Sequence, residues 1–156
     1  MKKTAMVAAT LSAMLSATLA ANAWAGQSPT ERDAKDLAHF ERYAGAPQRD
    51  MHYFRLDNFQ YLGRNARGED AIAVWTGVNQ VYLLTLEKPC INLDFAFAIG
   101  LTSTAGDVNA GMDYVKYDRN GPQQCRIMAI QKVDYKAMRA EKAQGVDDLR
   151  PKDDGH

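Results

Sequence analysis

Two runs constrain this chain more than anything else in it: Ala71-Ile72-Ala73-Val74-Trp75-Thr76 and Val81-Tyr82-Leu83-Leu84-Thr85-Leu86. Both are dense in β-branched and aromatic residues, and Gly77-Val78-Asn79-Gln80 between them suits a hairpin connection. A strand with one wet face alternates apolar with polar residues, whereas these two are apolar on both faces. The hairpin is therefore expected at the centre of a sheet.

The flanking segments read as shorter elements. Ser28-Pro29-Thr30-Glu31 has the form of a capping box, with proline at the first helical position. Ala34, Leu37, Ala38 and Ala44 follow at helical spacing, with Phe40 and Tyr43 beside the stripe, and Gly45 and Pro47 suit a helix end. Tyr53–Leu56 and Phe59–Leu62 read as strand, with Asp57-Asn58 shifting the apolar register between them. Gly63 to Asp70 reads as a polar turn. From Ile91 to Leu101 apolar residues alternate with Asn92, Asp94, Ala96, Ala98 and Gly100. That is a strand's period, although Cys90–Asp94 could first make one helical turn. Thr102 to Gly111 is loop-like, Met112–Tyr117 and Cys125–Ile130 read as strands, and Asp118 to Pro122 carries turn chemistry. Asp134 suits the cap of a short helix ending at Gly145. The fold class expected is α+β: a small antiparallel curled sheet or barrel of five or six strands with a helix at each end.

Residues 1–25 have the pattern of a cleavable signal peptide. Lys2 and Lys3 precede an apolar run from Met6 to Ala23, and Ala23-Trp24-Ala25 gives the small-x-small pattern before Gly26. A cut after Ala23 is the alternative. No cysteine stands at either cut, which closes the route to a lipidated N-terminus. Without the leader about 131 residues remain, read as a single globular domain over 26–145 and a disordered acidic tail over 146–156. Lys2 and Lys3 are among the 19 basic residues, so the mature balance is 17 basic against 19 acidic. That balance argues against a nucleic-acid grip or an electrostatic hold on anionic lipid. No second apolar run reaches the roughly 20 residues of a membrane span. The location expected is periplasmic or secreted. In such an oxidising space Cys90 and Cys125, the only cysteines, read as a structural disulfide rather than a redox pair.

Motifs for chemistry are sparse. His39, His52 and His156 lack metal-ligand spacing, and no metal or cofactor is expected. Asp107 to Asp118 loosely resembles a calcium loop, but Met112 stands where its turn needs glycine and the bidentate glutamate is missing. Ser103 has no nucleophile elbow, so a set of Ser103, His39 or His52, and Asp113 would have to assemble in space. Asp57 and Asp113 each sit among aromatic or apolar strand residues. A half-buried carboxylate there would carry a raised pKa and mark a site; the duller reading is hydrogen bonding at a bulge or strand edge. Tyr61 and Tyr114 are the tyrosines singled out to line a groove.

With Trp75, Val81–Leu86, Cys90 with Leu93, Asp113-x-Val115 and Cys125-Arg126-Ile127 in view, the chain resembles exported bacterial proteins of domain-of-unknown-function family 6491. The likeness spans about Phe54 to Asp134. It implies an exported, disulfide-bonded single domain from a Gram-negative bacterium, with Cys90 and Cys125 as its cysteine landmarks, and it carries no activity. The function expected is a non-catalytic binding or interaction module of the envelope, its partner an envelope protein or a small ligand. A serine-dependent hydrolase and a structural or inhibitory periplasmic protein are the alternatives.

Overall fold

The computed structural model of the chain describes residues 28–118 and 122–147. The expected leader over 1–25, the tip of the turn after Asp118 and the tail from 148 lie outside the described residues. In order, the elements are α1 (Pro29–Tyr43), β1 (Ala44–Gln48), β2 (Asp50–His52), β3 (Asn58–Arg64), β4 (Asp70–Gly77), β5 (Gln80–Leu86), a 3₁₀ turn (Leu93–Phe95), β6 (Ile99–Leu101), β7 (Asp107–Asn109), β8 (Tyr114–Asp118), β9 (Pro122–Val133) and α2 (Tyr135–Asp147). This is an α+β fold with a curled antiparallel sheet and a helix at each end, as expected.

The main sheet runs β3-β4-β5-β9-β8-β6, which places the apolar hairpin inside it. β9 is its spine. Residues Ile130, Gln131 and Val133 pair with β5 and also with β1, so these two strands must lie on opposite edges of β9. The first part of β9 pairs with β8. Between Thr85↔Ala129 and Leu86↔Ile127 the register slips by one residue, leaving Met128 as a bulge. The bulge turns Ile127 and Ile130, three apart in sequence, toward the same core.

The hairpin's two apolar faces each meet a different layer. Ile72, Val74, Tyr82, Leu84 and Leu86 face the inside of the curl, packed with Ile127, Ile130 and Val115. The two-stranded ribbon of β2 and β7 closes this side, where Met51 and Val108 are register partners and both buried. Ala71, Ala73, Val81 and Leu83 face outward and are covered by Leu37 and Phe40 of α1 and Met138 of α2. Trp75 stands edge-on between Phe40 and Tyr135, with ring centroids 5.9 and 5.8 Å away. Small alanines on β4 let the helices approach, while the branched residues opposite fill the curl.

The capping box forms as expected. The Ser28 amide donates to Glu31 Oε2 at 2.9 Å, and the Glu31 amide donates to Ser28 Oγ at 3.3 Å. Asp134 Oδ1 accepts from the Ala137 amide at 3.0 Å at the start of α2.

α1 ends at Tyr43, just before Gly45 and Pro47, and passes straight into β1 through an extended Ala44. Three expectations are corrected. Tyr53–Leu56 is irregular rather than strand: Phe54 is exposed, and the backbone turns back so that the Tyr53 amide donates to Gly106 O and the Asp57 amide to Trp75 O. Of the alternating run Ile91–Leu101, only Ile99–Leu101 is strand, and Leu93–Phe95 is a 3₁₀ turn. α2 continues through Gly145 to Asp147. Among the described residues no helix is long and apolar enough to cross a membrane.

Candidate functional site

The polar centre of the molecule is Asp70, at the start of β4. Arg64 and Asp70 face one another across the turn that joins β3 to β4. Asn65 builds that turn: its Oδ1 accepts from the amides of Arg67 at 2.9 Å and Glu69 at 3.0 Å. Asp70 itself is fully buried. Burying a carboxylate is costly unless its lone pairs are engaged, and here they are. Oδ1 accepts from the Tyr61 hydroxyl at 2.7 Å and from Arg64 Nε at 3.2 Å. Oδ2 accepts from the Cys90 amide at 3.0 Å. One carboxylate thus joins β3, β4 and the loop after β5.

That loop is held at further points. Cys90 is disulfide-bonded to Cys125 of β9, with Cα atoms 5.8 Å apart, inside the normal range for the bond. The Tyr117 hydroxyl donates to Ile91 O at 3.0 Å, and Leu93 is buried in the curl. The tyrosines carry the electrostatic mark of the centre. Burial first, then the hydrogen bond to Asp70, raise the Tyr61 hydroxyl well above its ordinary pKa. Burial likewise raises Tyr117, with Asp70 and Asp94 adding to it. The bond to Asp70 raises the Arg64 guanidinium, which stays charged at any ordinary pH.

Beside this centre a cleft of about 340 Å³ opens between α1, β3 and the disulfide-tied loop. Thr30, Asp33, Tyr61, Arg64, Asn92 and Asp94 line it. α1 comes close here because Gly63 has no side chain: a Cβ at its position would stand 3.0 Å from Asp33 Cβ, and its φ of +86° already favours glycine.

The residues singled out by sequence fall in three separate places. Tyr61 is part of the Asp70 centre. Asp57 lies on the surface in an ion pair with Arg55. Asp113 and Tyr114 adjoin the loop before β8. Asp113 is buried, and burial alone would raise its pKa, but three hydrogen bonds outweigh that and hold it below the ordinary value. Thr102 Oγ1 donates to it at 2.7 Å, the Asn109 amide at 2.7 Å and Asn109 Nδ2 at 3.4 Å. This is the arrangement of the duller reading, hydrogen bonding beside a strand edge: Asp113 organises a turn. Tyr114 stacks under Arg126, whose carbon Cζ is 5.7 Å from the ring centroid.

The hypothetical set of Ser103, a histidine and Asp113 is not brought together. His52 Nδ1 is 2.6 Å from Asp107 Oδ1, and His39 Nε2 is 3.2 Å from Glu141 Oε2. Asp107 and Asp113, the first and seventh positions of the calcium-like stretch, are turned to different partners. Among the described residues no group of three or more His, Cys, Asp or Glu side chains could hold a metal ion. Asp70 was missed in sequence because it closes a polar turn. The available signal was Arg64 and Asp70 bracketing that turn, since a hairpin sets such residues opposite one another.

A disulfide-tied α+β domain with a curled sheet and a buried carboxylate beside an open cleft is the class of protein that fold and site define. The chain belongs to the Family of unknown function (DUF6491), whose model matches residues 1–147, further than the strand region that carries the resemblance. No curated protein and no solved structure matches it.

Proposed function

We propose that this chain is an exported envelope protein of a Gram-negative bacterium, a non-catalytic module that binds a small ligand in the cleft beside Asp70. One observation carries the reading. A fully buried carboxylate fixes Tyr61, Arg64 and the Cys90 backbone, and so presents two polar side chains of an open cleft in one rigid geometry. Pre-organised polar groups around a concavity are how binding sites avoid the entropy of ordering loops. The leader pattern and the Cys90–Cys125 bond support export.

Expression of the full chain in a Gram-negative host tests the location. The expected product is periplasmic, begins at Gly26 or Trp24 and has no free thiol by mass spectrometry. A cytoplasmic product with an intact leader overturns the reading. Thermal-shift screening of the mature protein against small polar metabolites tests the binding. A shift lost in Arg64→Gln is the expected result, and a shift unaffected by that change puts the site elsewhere.

The hydrolase alternative keeps one favouring observation, the His52–Asp107 pair in the ribbon that the Ser103 loop adjoins: Thr104 and Asp107 close that loop in a small bridge. Labelling by a serine-reactive probe that disappears in Ser103→Ala would establish it, and absence of labelling removes it.

A further inference from the structure

Charges around the cleft narrow what it can hold. Asp70 is neutralised by Arg64, whose Nε it takes at 3.2 Å. The two terminal nitrogens of that guanidinium remain for a ligand, on a side chain that is 61% exposed at the cleft wall. Asp33 comes from α1 and Asp94 from the 3₁₀ turn, so they reach the cleft from two elements. Among the described residues no hydrogen bond or ion pair engages either carboxylate. Counting Asp33, Asp94 and Asp70 against Arg64 leaves two negative charges in excess around one concavity.

A purely anionic ligand would meet that excess, and a plain diamine would leave the fixed guanidinium facing a positive charge. A neutral zwitterion satisfies Arg64 and only one of the two acids. The set is matched by a molecule with one carboxylate and two ammonium groups. Its carboxylate would accept from the Arg64 terminal nitrogens, the arrangement for which the planar guanidinium is suited. Its two ammonium groups would each donate to one of Asp33 and Asp94, with Thr30 and Asn92 as neutral polar partners at the rim. The volume of about 340 Å³ holds one such molecule and not a long polymer.

We propose that the cleft between α1, β3 and the disulfide-tied loop binds a free basic amino acid, one carrying a carboxylate and two ammonium groups. This rests on the cleft's being the binding site proposed above. The Asp70 centre acts behind it as a positioning residue, turning Arg64 outward and keeping the loop with Asn92 and Asp94 in place.

Titration calorimetry on the mature, oxidised protein tests this with L-lysine, norleucine (no second ammonium), cadaverine (no carboxylate), calcium chloride and a lysine-terminated tripeptide. Lysine is expected to bind at least about tenfold more tightly than norleucine or cadaverine, the ratio for one lost charge-assisted contact. Asp33→Asn and Asp94→Asn, which leave Asp70 and its partners intact, are each expected to weaken lysine about tenfold and norleucine less. The tripeptide, with lysine at its C-terminus, lacks the α-ammonium on that residue and should bind less tightly than lysine; binding as tight or tighter overturns the assignment of both ammonium groups to one residue. Equal affinity for lysine and norleucine overturns the two-ammonium assignment while leaving the cleft as the site, provided Arg64→Gln still abolishes binding. Calcium binding lost in Asp94→Asn, with no lysine binding, overturns it in favour of a cation site. No heat with any of these ligands overturns it as well, while a screening hit of another class that Arg64→Gln abolishes would leave the cleft reading standing.

Discussion

Asp70 and Asp113 are both buried acids at the start of a strand segment, yet they do different work. Asp113 takes its hydrogen bonds from Thr102 and Asn109, eleven and four residues away, and so stabilises one local loop. Asp70 takes its bonds from Tyr61, Arg64 and, twenty residues on, Cys90, which is itself bonded to Cys125. The first acid shapes a turn. The second is a junction of three chain segments beside the cleft. Burial of a carboxylate, by itself, therefore says little about function; what distinguishes the two is the reach of the groups that satisfy it.

The largest effect should come from Asp70→Ala. It leaves the Cys90 amide buried without an acceptor and removes one charge-assisted and one hydroxyl bond, together about 3–5 kcal/mol. Urea unfolding of the oxidised protein measures it. Asp113→Ala should cost less, about 1–3 kcal/mol, because the Asn109 amide is only part-buried at the end of β7 and can relax toward water. If Asp113→Ala proves the costlier change, the contrast between junction and turn fails. The two variants should also differ in kind. Asp70→Ala should increase protease cleavage between residues 91 and 98, while Asp113→Ala should leave that loop protected.

The pH dependence sharpens the same contrast. Asp113 has a folded pKa below its ordinary value of 3.8, so its carboxylate contributes stability above that value and loses it as pH falls through the lowered folded one. The stability gap between the wild-type protein and Asp113→Asn should be full at neutral pH and close as the solution is taken below the ordinary value. A gap that widens in acid would reverse the sign. Tyr61→Phe tests the other acid at smaller scale. It deletes one hydroxyl bond to Asp70, worth about 1 kcal/mol at neutral pH. Because the Tyr61 hydroxyl is raised above its ordinary pKa of 10, its contribution is present below that value and is lost as pH rises toward the folded one. An absorbance titration of the folded protein should show fewer tyrosines ionising near the ordinary value than in the unfolded chain, Tyr43, Tyr61 and Tyr117 all being raised, and one of those late ionisations should be missing in Tyr61→Phe.

The difference between the acids also explains what sequence could and could not carry. The hairpin, the Ser28 cap and the Asp134 cap were legible because their causes are local: residue type, period and spacing within a few positions. The Ile91–Leu101 run misled for a physical reason. Its alternation is real, but a strand needs a hydrogen-bonding neighbour, and only Ile99–Leu101 finds one, on β8. Before that, the Asp70 bond to Cys90, the disulfide and the buried Leu93 pull the chain into a turn, with Ile91 and Phe97 at the surface. Tyr53–Leu56 failed likewise, since β4 has its edges filled by β3 and β5. Of the site, Tyr61 was visible as an aromatic with a polar tip. Asp33 and Asp94 were not, because nothing in their neighbourhoods says that α1 and the 3₁₀ turn meet.

The smallest effect belongs to a surface acid, Glu141 on α2, whose side chain is 45% exposed. It accepts from the Tyr43 hydroxyl, faces His39 and receives a hydrogen bond from Arg42 Nη1 at 3.0 Å, all three partners lying on α1. The Tyr43 bond, then His39 and Arg42, hold its carboxyl below the ordinary value of 4.5, even though every member is in contact with water. A folded pKa lowered in this way gives a contribution present above the ordinary value and lost as pH falls through the lowered one. Solvent screens exposed pairs strongly, so Glu141→Gln should leave global urea unfolding unchanged within error. Its signature should be local. Amide exchange in α2, corrected for intrinsic rates, should quicken below the ordinary value in the wild-type protein while β5 stays protected, and Glu141→Gln should show the faster α2 exchange at neutral pH with no further acid step. If the acid step persists in Glu141→Gln, α2 is held to α1 by its apolar face through Met138 alone, and the reach of a hydrogen-bonded acid matters only where water is excluded.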